Sequence, residues 1–76
     1  MARREGLSDP YRELQVDPEA CAEVIDAAFS VLREMTLRST DDHAPVRLAR
    51  LMAAHRTLSD PARRAAWDGA RPGGEA

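Results

Sequence analysis

Three residues in a row, Asp41, Asp42 and His43, carry side chains of the kind that hold metal ions, and Cys21 and His55 are the other groups able to act as ligand, nucleophile or base. Adjacent residues rarely all face one ion, and no further ligand stands at a suitable spacing from the trio, so no metal is expected. A thiol at a helix N-terminus can have a depressed pKa, which would give Cys21 redox chemistry, but the expected role of Cys21 is that of a small buried or capping residue. His55 falls on an apolar stripe and reads as a semi-buried packing residue rather than a base. No nucleophile, base and orienting group converge, so no catalytic residue and no cofactor are expected. Binding chemistry remains. Arg47, Arg50, Arg56, Arg63 and Arg64 could contact phosphates, and an apolar line of Val24, Ala27, Val31 and Met35 could meet another protein.

Composition limits what elements can position these groups. A chain of 76 residues forms one small domain, and such a domain buries only about 60% of the surface its unfolded chain exposes, which leaves no room for a deep catalytic cavity. With 43% apolar and 32% charged residues it is expected to fold in water, and no apolar run approaches the ~20 residues of a membrane span. The opening MARREGLSDP has basic residues without an apolar stretch behind them, so no cleaved signal peptide is expected and the cytoplasm is the expected location. The single cysteine cannot form an internal disulfide.

Charge is unevenly spread. Residues 1–42 hold five arginines against ten acidic residues, and residues 43–76 hold six against three. A net charge of −2 argues against a dedicated nucleic-acid binder, which shows a clear basic surplus. The bland account of the split is that acidic Asp26 and Glu34 on one helix complement arginines on its neighbour.

The pattern is helical throughout. From Ala22 to Thr36 the residues Ile25, Ala28, Phe29, Leu32 and Met35 recur at the spacing of one helix face, which is expected to be buried. A second stripe runs through Val46, Leu48, Leu51, Met52, His55 and Leu58. The polar RSTDDHAP between them predicts an antiparallel hairpin of two long helices. The tetrapeptide LSDP occurs twice, at Leu7 and at Leu58. Asp before Pro is helix punctuation, because the carboxylate can cap free backbone donors and proline suits the first helical position. Asp9-Pro10 therefore opens a short helix holding Tyr11 and Leu14, while Asp60-Pro61 ends the second long helix and opens a short one to about Asp68, anchored by Trp67. The segments after the two copies differ, so no duplication is needed. The expected organisation is all-α: a tail over 1–6, a helical domain over 7–69 with two short helices flanking the hairpin, and a tail over 70–76, both tails mobile unless a partner holds them.

These residues resemble the J-domain family, the co-chaperone module of DnaJ-type proteins. DPYRELQV is similar to the family's Asp-x-Tyr-x-x-Leu-Gly-Val at Asp9, Tyr11, Leu14 and Val16; VIDAAFSVL matches its second helix at Ile25, Ala28, Phe29 and Leu32. LARLMAAHRTLSDPARRAAWD resembles its third helix and its Leu-Ser-Asp-Pro-x-x-Arg-x-x-Tyr-Asp close at Leu51, Ala54, Leu58, Ser59, Asp60, Pro61, Arg64 and Asp68, with Trp67 in the tyrosine place. The resemblance covers Asp9 to Asp68 and implies a J-domain-like fold.

It also implies where this chain departs. The family's His-Pro-Asp, needed to stimulate a DnaK-type ATPase, would fall on Leu37, Arg38 and Ser39, and the signature is absent. Reading Asp42-His43-Ala44-Pro45 as a displaced copy would lengthen the second helix by more than a turn and still leave the order wrong. The family's basic patch on the second helix is replaced by Asp26, Ala27, Ser30 and Val31, which would remove the steering of an acidic chaperone surface. The loop is shorter than usual, and the glycine after Leu14 is Gln15, which removes the easiest route to a left-handed turn there.

The expected function is a non-catalytic J-like interaction module, unable to stimulate a DnaK-type ATPase, that docks on another protein or complex through Val24, Ala27, Val31, Met35 and Arg38 as an accessory or regulatory subunit. The bland alternative for that line is a wider core with harmless exposed aliphatics. Two other functions stay open: an inhibitory or atypical co-chaperone still touching a DnaK-type chaperone or a true J-protein, and arginine-mediated nucleic-acid binding, whose affinity would fall steeply with salt.

Overall fold

The computed structural model describes residues 9–70. Residues 1–8 and 71–76 lie outside them, and with them the first Leu-Ser pair, the N-terminal tail and most of the C-terminal one. Helices are the only regular secondary structure among the described residues: α1 Pro10–Glu13, α2 Ala22–Leu37, α3 Ala44–Ser59 and α4 Pro61–Ala70.

Local chemistry sets the boundaries. Asp9 caps α1, its Oδ1 accepting from the Tyr11 backbone N–H at 3.0 Å, with Pro10 at the first helical position. Asp60 repeats the device for α4, its Oδ1 accepting from Ala62 N at 3.0 Å. Its backbone is extended, as the residue before a proline must be, and α3 stops there. Asp17-Pro18 is a third such pair: Asp17 accepts from Glu19 N at 2.7 Å but only a turn follows. Cys21 occupies the N-cap of α2, exposed and making no side-chain capping bond.

The end of α1 shows how the missing glycine is managed. Gln15 is left-handed at φ 57, while Val16 N donates to Tyr11 O at 2.9 Å and Gln15 N to Arg12 O at 3.1 Å. This is the paired-bond helix ending in which glycine is usual. Val16 packs back on the core, so burial holds a conformation that an L side chain resists.

α3 is the hub, packing against α1, α2 and α4. Asp26 near the start of α2 meets His55 near the end of α3, and Ser39 just past α2 meets Arg47 near the start of α3, so the two long helices run in opposite directions. The core comprises Tyr11, Leu14, Ile25, Leu51, Ala54 and Leu58, with Val16, Ala20, Phe29, Leu32 and Trp67 packed partly buried around it.

Three members of the sequence stripes face solvent instead. Met35, Val46 and Met52 are at least half exposed, whereas Ala44 and Ala54 are buried on α3. A helix that touches three neighbours needs small side chains at close approach. At about 100° per residue, Val46 and Met52 fall to either side of that contact zone. The last helix runs to Ala70, past Asp68, and so takes in a residue expected in the tail.

Candidate functional site

Two clusters and one helix face bring polar or apolar groups together. At the junction of α1 and α4, the Tyr11 hydroxyl donates to Asp68 Oδ1 at 2.6 Å and accepts from Arg64 Nε at 3.1 Å. Arg64 Nη2 also donates to Ala20 O at 2.7 Å and Pro18 O at 3.1 Å, and its guanidinium lies 5.5 Å from the centre of the tyrosine ring. Burial pushes the Tyr11 pKa up and the bond to Asp68 adds to it; Arg64 opposes both. Residues far apart in sequence are thereby tied together. This cluster is a clasp.

At the other end, the loop over 38–43 organises itself around Asp41. Its Oδ1 accepts from His43 N at 2.8 Å and its Oδ2 faces Arg47 Nη1 at 3.2 Å. The backbone bond and then the guanidinium hold the Asp41 pKa below its ordinary value. Arg47 reaches Ser39 Oγ at 3.4 Å, and Ser39 Oγ accepts from Asp41 N at 3.1 Å. Of the three positions singled out at this tip, Leu37 is the exposed last residue of α2, Arg38 is its exposed C-cap, and Ser39 is half-buried within the loop's own bonds. Asp42 and His43 are exposed, and no group able to hold a metal ion occurs among the described residues.

The hairpin charges pair differently from expectation. Asp26 Oδ1 lies 2.8 Å from His55 Nε2, and the imidazole stacks on Phe29 at 4.2 Å with the planes 11° apart. His55 is half-buried and packed, as read from the sequence. Asp26 pairs with this histidine rather than with an arginine, and no ion pair joins Glu34 to α3 among the described residues. One signal was present: residues 26 and 55 lie equally far from the loop on either side, which is where an antiparallel hairpin makes partners.

Of the five arginines considered for phosphate contact, Arg64 is spent in the clasp, Arg47 pairs with Asp41, and Arg63 lies 3.7 Å from Asp60. Arg50 and Arg56 have no such partner among the described residues. Three of the five thus have acceptors within the described chain.

The apolar line on α2 stands fully outside the core. Val24 is 49% exposed, Val31 57% and Met35 56%, with Ala27 exposed between them. Spacings of three and four keep all four in one stripe, about 120° round the helix from the row of Ile25, Phe29 and Leu32. Arg38 lies at the C-terminal end of the same stripe. Nothing in the described chain covers it. No family model, curated protein or solved structure matches this chain.

Proposed function

We propose that this chain is a J-domain-like protein-interaction module that no longer triggers a DnaK-type ATPase and instead docks on a partner protein through the exposed stripe of α2. The observation that carries this reading is the run Val24, Ala27, Val31 and Met35 on one uncovered face. A soluble helix with only one wholly buried residue, Ile25, gains nothing for its own fold from three large aliphatic side chains in water, whereas a partner groove would bury them. The J-like identity rests on Asp9, Tyr11, Leu14, Arg64 and Asp68, which form or flank one clasp. Loss of the trigger rests on Leu37, Arg38 and Ser39 standing where the family has His-Pro-Asp.

The reading also draws support from Asp26, whose carboxylate sits where the resembling family offers positive charge. Retrieval of partners from native cells with the wild-type chain and with Val31→Asp tests it. The variant is expected to fold normally and to lose its stoichiometric partner. Retention of every partner would remove the helix-face reading.

A further inference from the structure

A cleft of about 520 Å³ opens between α1, α2 and α3, and we propose that it is the binding site for an acidic segment of a partner protein, carboxylates on its rim and an apolar side chain on its floor. The inference deepens the docking reading above and rests on it, because Met35, the last member of the exposed stripe, also lines this cleft.

Three guanidiniums stand around the cleft, those of Arg12, Arg47 and Arg50, against the single carboxylate of Glu13. In a chain of net charge −2, that is a local reversal of sign. Arg47 is partly satisfied by Asp41. Arg12 and Arg50 make no ion pair or side-chain hydrogen bond with any described residue. Two guanidiniums with no partner among the described residues beside one cleft present fork-shaped donors that match carboxylates in two-point bonds. Leu32, Leu51 and Met35 supply an aliphatic floor, which selects an apolar side chain between the acids and gives a small inorganic anion nothing to bury.

Nucleic acid fits less well. Single-stranded bases bind by stacking on accessible aromatic faces, and this chain has three aromatic residues: Tyr11 is buried, Phe29 stacks on His55, and Trp67 packs against the core. None lines the cleft. The volume is in the range that accommodates a few side chains of a bound ligand, and Met35 belongs to both the cleft and the exposed stripe, so one partner helix could place its apolar face on α2 and its acidic end on the arginines.

Selection from a random peptide library displayed on phage, panned on the full chain, provides the probe. Enriched sequences are expected to carry paired Asp or Glu beside Leu, Met or Phe. A synthetic copy of the leading sequence is then titrated by fluorescence anisotropy. Arg12→Gln combined with Arg50→Gln should weaken it about tenfold or more, the loss expected for two charge-assisted contacts, and raised salt should do likewise. Since neither arginine has a partner among the described residues, the thermal midpoint of this variant should match that of the wild type. Glu13→Gln should tighten binding.

Failure to enrich acidic sequences, unchanged affinity in the double arginine variant, or tighter binding of a single-stranded oligonucleotide than of the peptide would each overturn the proposal. The two readings separate through Val31→Asp. If that variant keeps its cellular partner while the arginine variant loses the peptide, the cleft stands and the stripe falls. If Val31→Asp loses the partner but no acidic sequence enriches, the cleft falls alone.

Discussion

The two ends of the molecule use similar side chains in opposite ways. At the α1–α4 junction a tyrosine bonds over a packed core to an arginine and an aspartate that lie more than fifty residues away from it in sequence. At the hairpin tip an arginine, an aspartate and a serine lie within eight residues of one another, and their bonds are largely exposed. The first cluster closes the fold; the second shapes only its own loop. The clasp residues are thus explained by stability, whereas the tip bonds mainly order their own loop.

That contrast should appear first in stability. Leu14→Ala, which hollows the core beneath the clasp, is expected to cost about 3 kcal/mol in urea unfolding, a large share of the roughly 4–11 kcal/mol available to a domain this size. Arg64→Ala should cost about 2 kcal/mol, since the charged donor leaves the Tyr11 hydroxyl and two backbone carbonyls short of a partner. A cost near zero for Arg64→Ala would erase the distinction between the ends.

The two ends should also titrate at opposite extremes of pH. Tyr11 has a folded pKa above its ordinary 10.0, so the unfolded chain ionises first. Its contribution is complete below pH 10 and drains away as pH rises through the folded value. Tyr11→Phe should flatten the alkaline limb of a stability–pH curve. Asp41 has a folded pKa below 3.8, so its contribution is present above that value and is lost as pH falls through the folded one. Asp41→Asn should flatten the acid limb while moving the neutral-pH midpoint less than Arg64→Ala does.

The smallest change expected is a gain. At Gln15 the left-handed backbone costs an L residue roughly 1–2 kcal/mol, and glycine gives back part of that in unfolded-state entropy. Gln15→Gly should stabilise the fold by about 0.5 kcal/mol, read from the denaturation midpoint. Destabilisation instead would mean that the Gln15 side chain holds the α1 ending in place.

Much of the architecture was legible because its causes are local. Asp-Pro at Asp9 and Asp60 marked two helix starts, and apolar periodicity marked both long helices to within a residue or two. The readings that went astray depend on tertiary geometry. Val46, Met52 and Met35 satisfy helical spacing as well as Leu51 does, but which side of a stripe is covered depends on where the neighbouring helices lie. Arg64 read as one arginine among five until its carbonyl partners at Pro18 and Ala20 came into reach. The Asp26–His55 pair likewise needed the hairpin register. The exposed line on α2 could be read from sequence alone because a surplus of apolar positions beyond one stripe leaves some of them uncovered whatever the packing.

The most direct test of the central claim is single-turnover ATP hydrolysis by a purified DnaK-type chaperone with this chain added in excess. Under the proposed J-like reading no acceleration over the chaperone alone is predicted, because in it Leu37, Arg38 and Ser39 stand where the family has His-Pro-Asp. Strong acceleration that disappears on Arg38→Ala would contradict the account.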